Sequence, residues 1–173
     1  VTLAAGTTGF STRFAGRSTG TGNVTVRSDV GPFFGGRTVA FVNATAAPND
    51  YAGTLTVAAD TNVRLGNTTP PDNQIPNGTA VVFAADTSFL VLDDVVAGGA
   101  TVEHVAGLVS AAPGAGRVQA ASGAAVLTLG TPNPADAFTF TGRIFENTVG
   151  IFGGVPNLSV TLTGANTQTI ARA

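Results

Sequence analysis

The residues of this chain that could do chemistry are a few carboxylates near its middle. Asp93 and Asp94 form the only adjacent acidic pair, and Glu103 follows them. Together with Asp86 they could line an outer groove of a polysaccharide lyase or hydrolase, with or without a calcium ion. Adjacent strand residues point to opposite faces, so Asp93 and Asp94 can share a groove only within a turn. Because aspartate favours turns, we interpret the pair as the end of a strand.

His104 is the single histidine and offers a second possibility. With Ser88 or Ser110 and an aspartate it would make a nominal nucleophilic triad, but no Gly-x-Ser-x-Gly elbow frames either serine. A solvated strand histidine is the simpler interpretation. With one histidine and no cysteine, a zinc site would have to rely on carboxylates. The sequence therefore predicts no catalytic, metal-binding or cofactor-binding residues.

A glycine-rich stretch, Gly-Ala-Gly-Arg-Val at 114–118, offers a weak likeness to a phosphate cradle. It lacks the full glycine fingerprint and the helix whose N-terminus would hold the anion. We expect a tight turn there instead.

Composition excludes several other classes of function. The net charge is −2 and the basic residues form no stripe, so nucleic-acid binding is not expected. No apolar run approaches the ~18 residues that a membrane-spanning helix needs. The absence of cysteine excludes disulfides. The chain shows neither an initiator methionine nor a signal peptide, which is typical of a mature product or a piece of a longer protein.

The elements that must position these residues are short strands. Threonine and valine suit a pleated surface, while glycine and asparagine suit turns, and no stretch keeps helical apolar spacing. The proline-containing segment 67–78 is expected to bulge out as a surface loop. Alternation of apolar and polar residues predicts strands at 23–27, 53–57, 62–65, 80–83, 88–92, 126–129, 137–141 and 158–163.

A short phrase recurs along the chain. An apolar residue, two alanines, a small-residue turn and renewed alternation appear at 3–10, 57–65 and 83–91, and more loosely at 119–129. Recurrence after a long gap is typical of solenoids, in which one unit stacks on the next. A β-sandwich does not require it, so the pattern favours a parallel β-helix with ladders of apolar residues inside.

The phenylalanines divide into two predicted groups. Those within alternating stretches are candidates for inward core ladders, and those flanked by glycine are candidates for an outer contact surface. The first group is Phe83, Phe89, Phe138 and Phe140, and the second is Phe33, Phe34 and Phe152.

Several short motifs follow one another in a fixed order along the chain. They are Asn-Asp-Tyr-Ala-Gly at 49–53, Val-Arg-Leu-Gly at 63–66, Ile-Pro-Asn-Gly at 75–78, Val-Ala-Gly-Leu at 105–108, Leu-Thr-Leu-Gly at 127–130, Phe-Thr-Gly-Arg-Ile at 140–144 and Leu-Thr-Gly-Ala-Asn-Thr at 162–167. Their order resembles the autotransporter-associated β-strand repeat family of bacterial surface and secreted passenger proteins, over about residues 37–170. The chain departs from the family pattern at 145–155, which lacks the usual lysine-containing strand, and at 166–169, which reads Asn-Thr-Gln-Thr.

The resemblance implies an all-β, right-handed parallel β-helix with irregular loop insertions, without catalytic residues to carry over. We expect one domain over 1–173, in which 1–36 is the tail of a preceding repeat unit and 37–173 is one full unit. The expected function is that of a non-enzymatic structural segment of a secreted or cell-surface bacterial protein. It would act as a spacer or adhesive passenger, or stack head to tail with copies of itself into a filament. The alternative is a carbohydrate-active or polysaccharide-binding β-helix with an extracellular polysaccharide as partner.

Overall fold

The computed structural model describes residues 1–5, 11–14, 17–29, 37–41, 49–65, 74–93, 101–122, 124–146 and 157–171. These residues form strands and turns, and no helix that could cross a membrane is found among them. The strands in chain order are β1 (Thr2–Ala5), β2 (Ser11–Phe14), β3 (Thr19–Thr21), β4 (Val24–Ser28), β5 (Arg37–Phe41), β6 (Asp50–Ala52), β7 (Thr54–Val57), β8 (Thr61–Leu65), β9 (Ala80–Phe83), β10 (Ser88–Asp93), β11 (Thr101–Val105), β12 (Gly107–Ser110), β13 (Arg117–Ser122), β14 (Ala124–Leu129), β15 (Ala137–Phe140), β16 (Arg143–Glu146), β17 (Asn157–Leu162) and β18 (Thr167–Ile170).

The strands stack into faces, and the paired strands run parallel to each other. The first face has the order β1-β4-β7-β9-β12, and the second has the order β2-β5-β8-β10-β13-β16. The third face is made of the pair β3-β6 and the sheet β11-β14-β17, and β15 pairs with β18. The chain visits the faces in turn and then returns to the first, which makes the fold a parallel β-helix. The all-β solenoid prediction is thus confirmed, whereas the division of the chain at residue 36 stays a prediction.

The core consists of apolar columns that run along the solenoid axis. On the second face, Val39 lies opposite Val63, and Val63 lies opposite Leu90. All three are fully buried. Within β7, half-buried threonines alternate with buried Leu55 and Val57, as expected for a strand with one face inward. Alternation in the sequence therefore translates directly into stacked apolar columns, and each strand stretch predicted from it is found.

The recurring phrase marks one corner of the solenoid. Leu3, Val57 and Phe83 belong to one column of the first face, at the point where the chain turns towards the second face. The looser copy at 119–129 is different, because its Ala120 pairs with Leu92 in the second face. The looser copy at 119–129 therefore lies at a different corner of the solenoid from the other three.

Two buried hydroxyl groups close successive corners. The hydroxyl of Thr61 accepts a hydrogen bond from the Ser28 N–H at 2.9 Å and donates to the Ala59 carbonyl at 3.0 Å. In the next coil the Ser88 hydroxyl donates to the Ala58 carbonyl of the coil before it at 2.9 Å. Each hydroxyl thus links the coils while its residue is fully buried.

The register at this corner differs from the alignment of the two phrases. The repeated letters set Thr87 against Thr61, but the strand pairing sets Ser88 opposite Thr61. The second corner is thus one residue longer. The shorter corner contains Asp60 in the left-handed region with φ 55°, a conformation that aspartate tolerates.

The prediction for the phenylalanines holds in part. Phe83 and Phe140 are buried, and their ring centroids lie 5.4 Å apart. Phe89 and Phe138 are only half-buried, so their placement in the core was wrong. Phe89 lies in an outward column, where the Arg117 guanidinium stacks over its ring at 5.1 Å. The predicted contact surface of Phe33, Phe34 and Phe152 lies outside the described residues.

The predicted surface loop at 67–78 is partly wrong. Within the described part of this segment, Gln74 and Ile75 are almost completely buried, at 1% and 0% exposure. Ile75 belongs to the hydrophobic core. Only the end of the segment behaves as expected, in a turn closed by a hydrogen bond from the Thr79 N–H to the Pro76 carbonyl. Ile75 therefore packs into the core although neither it nor Gln74 belongs to a strand.

Candidate functional site

Glu103 faces the interior of the solenoid. It occupies the middle of β11 and has no exposed surface. One carboxylate oxygen accepts a hydrogen bond from the Ile75 N–H at 2.8 Å, and the other accepts one from the Gln74 N–H at 3.0 Å. Glu103 therefore does not contribute to an outer groove of the kind that a polysaccharide hydrolase would need.

The role of Glu103 follows from a break in the third face. Residues 74 and 75 lie between β6 and β11 along the solenoid but belong to no strand, so their backbone groups lack a β-ladder. Asn49 serves them from the other side, because its side-chain N–H donates to the Gln74 carbonyl at 2.5 Å. The Asn49 side-chain oxygen in turn accepts the Ser18 N–H at 2.8 Å. Side chains on both sides of residues 74 and 75 thus make the hydrogen bonds that strand pairing would otherwise make for their backbone groups.

Tyr51 lies next to this buried polar stack. It is 5% exposed, and its hydroxyl has no hydrogen-bond partner among the described residues. Burial raises the pKa of Tyr51 well above its usual value, and the negative charge of Glu103 raises it further. The folded state therefore favours the neutral phenol, whose ring packs in the core.

The first face shows a comparable break after β12. The side-chain oxygen of Gln168 accepts the Leu108 N–H at 2.9 Å, and its N–H donates to the Leu108 carbonyl at 3.2 Å. Gly107 makes room for this arrangement, since a Cβ there would lie 2.3 Å from Phe138. A side chain again completes a backbone ladder between elements that do not pair as strands.

The other candidate carboxylates do not meet Glu103 at a shared surface. Asp86 lies in the turn between β9 and β10, with its side chain 70% exposed and 3.9 Å from the Arg117 guanidinium. Asp93 ends β10, where the register with β13 shifts, so its predicted position at a strand end is confirmed. Asp94 lies outside the described residues.

The nominal triad is not assembled either. The His104 ring nitrogen lies 3.1 Å from the Gly130 carbonyl, on the outward side of β11. Ser110 donates to the Ala115 carbonyl and accepts the Thr141 N–H at 2.9 Å, and Ser88 belongs to the corner described above. His104 lies in a strand as predicted, but it is half-buried and hydrogen-bonded rather than fully solvated.

The stretch 114–118 includes the predicted tight turn. Gly114 and Gly116 have φ angles of 77° and 102°, which favour glycine. A Cβ on Gly116 would lie 2.5 Å from Phe83 and 2.7 Å from Phe140. The glycine therefore allows the chain to close tightly over the aromatic pair and to enter β13 at Arg117.

A groove of about 520 Å³ lies beside this turn, and we call it the arginine groove. Sequence reasoning missed it. The available signal was that Arg117 and Arg143 each precede an inward apolar residue, which places both on the outward side of the second face. The residues that line the groove are Arg117, Gly142, Arg143, Ile144, Phe145 and Ile170.

Within the described ranges, no three of the histidine, aspartate and glutamate side chains lie close enough together to hold a metal ion. The fold and the side-chain arrangement define a parallel β-solenoid protein. No protein-family model matches the chain, and comparisons with curated proteins and with solved structures found no significant match.

Proposed function

We propose that this chain is a non-enzymatic structural segment, a stiff β-solenoid rod of a secreted or cell-surface bacterial protein. The observation that carries the proposal is the use of the reactive side-chain types by the fold itself. The Glu103 carboxylate makes hydrogen bonds that strand pairing would otherwise make, and the Ser88 and Ser110 hydroxyl groups link successive coils. These groups are occupied in holding the solenoid together rather than gathered in a cleft.

Continuous ladders supply the mechanical basis of the proposed function. The second face runs through six strands and the first through five, with apolar columns stacked behind them. Bending such a rod would stretch hydrogen bonds and open a close-packed core in several coils at once. A passenger-type spacer, which holds other parts of a protein away from a surface, requires this stiffness.

End-to-end stacking is a variant of the same proposal. Leu162 continues the buried column of Leu129, and Ile170 continues that of Phe140, yet they are 59% and 45% exposed. Among the described strands β17 and β18 end their sheets, and a strand edge beside exposed apolar side chains favours association with another β-edge.

Negative-stain electron microscopy over a range of protein concentrations tests the proposal. Compact single particles at all concentrations support a spacer segment, and fibres that lengthen with concentration support end-to-end stacking. Release of reducing sugars from acidic polysaccharides by the same preparation would contradict the non-enzymatic assignment.

A further inference from the structure

We propose that the arginine groove binds the carboxylate of a sugar acid, a ligand site that goes beyond the structural role and does not depend on it. The groove lies where β16, the last strand of the second face, approaches Ile170 of β18. Two guanidinium groups contribute its positive charge, and three apolar side chains contribute the rest of its surface.

The two arginines are neighbours in register. Arg117 and Arg143 lie opposite each other on parallel strands β13 and β16, whose backbones are about 4.8 Å apart. Like charges directly opposite each other on a sheet are destabilising. An anion in the groove would offset this repulsion, and a carboxylate matches the donor fork of a guanidinium group.

The guanidinium group of Arg117 is positioned in advance of any ligand. It stacks over the Phe89 ring at 5.1 Å, which restricts its movement. Its Nε atom is buried and has no acceptor among the described residues. The Asp86 carboxylate lies 3.9 Å from its Nη2, too far for a hydrogen bond. Arg117 is therefore held in place before any ligand binds, so ordering its side chain costs little on binding.

Arg143 supplies the second donor group. Its backbone N–H bonds to the Gly116 carbonyl and so fixes β16 beside the glycine turn. Its side chain is exposed. An exposed guanidinium beside a restrained one can close onto a carboxylate from the solvent side.

The remaining lining favours a sugar acid over a wholly apolar acid. Ile144 and Phe145 are half-buried, and Ile170 is 45% exposed, so the apolar surface is small and its edge is exposed to solvent. A sugar ring can lay its C–H face on these side chains and keep its hydroxyl groups in water. The volume of about 520 Å³ is within the usual range for small-ligand sites.

Isothermal titration of the full chain with a trimer of galacturonic acid tests the proposal. We expect saturable binding to one site, weakening as salt is added, and no binding of the neutral galactose trimer at the same concentrations. Galacturonic acid monomer forms a second arm. Tighter binding of the trimer identifies a polymer as the source of the ligand, and equal binding identifies the free sugar acid.

Arg143→Gln is the decisive variant, because its side chain is exposed and the fold does not depend on it. We expect it to weaken trimer binding about tenfold or more, as befits a charge-assisted hydrogen bond. Arg27→Gln is the matched control, since Arg27 pairs with Asp29 on the first face, away from the groove. Asp86→Asn should tighten binding, because it removes a competing negative charge. Absence of saturable binding, or equal losses in Arg143→Gln and Arg27→Gln, would overturn the proposal.

Discussion

The charged side chains at the interrupted third face and in the arginine groove differ in burial and in hydrogen bonding. The Glu103 carboxylate is fully buried, and backbone N–H groups of residues 74 and 75 bind both its oxygens. The Arg143 guanidinium is exposed beside a neighbour of the same charge. In the first arrangement, a side chain makes the hydrogen bonds between coils that strand pairing would otherwise make. The second lies at an open groove, where we propose that the charge serves a ligand rather than the fold.

The largest expected effect is a loss of stability when the buried Glu103 carboxylate is removed. Glu103→Ala removes the carboxylate that accepts hydrogen bonds from the buried N–H groups of residues 74 and 75, and each such loss costs about 1–3 kcal/mol. We therefore expect a loss of about 3 kcal/mol or more in the free energy of unfolding, measured by urea denaturation. His104→Ala is the control on the outward side of the same strand and should cost under about 1 kcal/mol. Equal effects of the two variants would show that the hydrogen bonds of Glu103 to residues 74 and 75 do not stabilise the fold.

A second comparison uses a buried and an exposed residue of the same apolar column. Leu129 is 1% exposed and Leu162, opposite it in the next coil, is 59% exposed. Leu129→Ala should destabilise the protein by about 2–5 kcal/mol because it leaves a cavity. Leu162→Ala should cost under about 1 kcal/mol in dilute solution. A large loss at Leu162 that depends on protein concentration would instead indicate that a second copy covers it.

The glycine turn joins the closed core to the groove, and its two glycines form a natural pair of variants. Gly116→Ala places a Cβ 2.5 Å from Phe83 at a φ of 102°, so strain and overlap act together. We expect a loss of about 2 kcal/mol. At Gly114 the φ is 77° and nothing lies within 4 Å of the added Cβ, so Gly114→Ala should cost about 1 kcal/mol. Thermal unfolding measures both, and a greater loss at Gly114 would contradict the packing described here.

The smallest effect concerns the pH dependence of Tyr51. Its pKa is raised in the folded protein, so the unfolded chain releases the phenolic proton first as the pH rises. The stability contributed by this group is complete below pH about 10 and falls above it. Tyr51→Phe should therefore reduce the loss of stability at alkaline pH. Because Tyr51 is the single tyrosine, tyrosinate absorbance follows it directly, and ionisation near pH 10 before unfolding would contradict its burial.

Much of the fold could be predicted because it depends on local alternation. In β7, each inward position is an apolar residue and each outward one is a threonine, and the repeated phrase predicts that another strand follows soon after it. The offset of one residue at Ser88 could not be predicted, because the two phrases align without a gap. Their different turn lengths become apparent only when the coils are stacked.

The side-chain arrangements depend on distances along the chain that the sequence does not define. Nothing near Glu103 indicates that residues 74 and 75 would lack a strand and need its carboxylate. The position of Arg143 opposite Arg117 depends on the length of one coil, which the irregular insertions obscure. The resemblance to autotransporter-associated repeats, the secreted location and the lack of catalysis remain predictions.

Hydrogen exchange of the backbone amides at Gln74 and Ile75 tests most directly whether side chains make the solenoid continuous. We predict that these two amides exchange as slowly as those of the neighbouring buried strands, and that Glu103→Ala accelerates them selectively. Exchange as fast as that of the β16 amides that point away from β13 would contradict the account, since the third face would then be open where Glu103 is expected to close it.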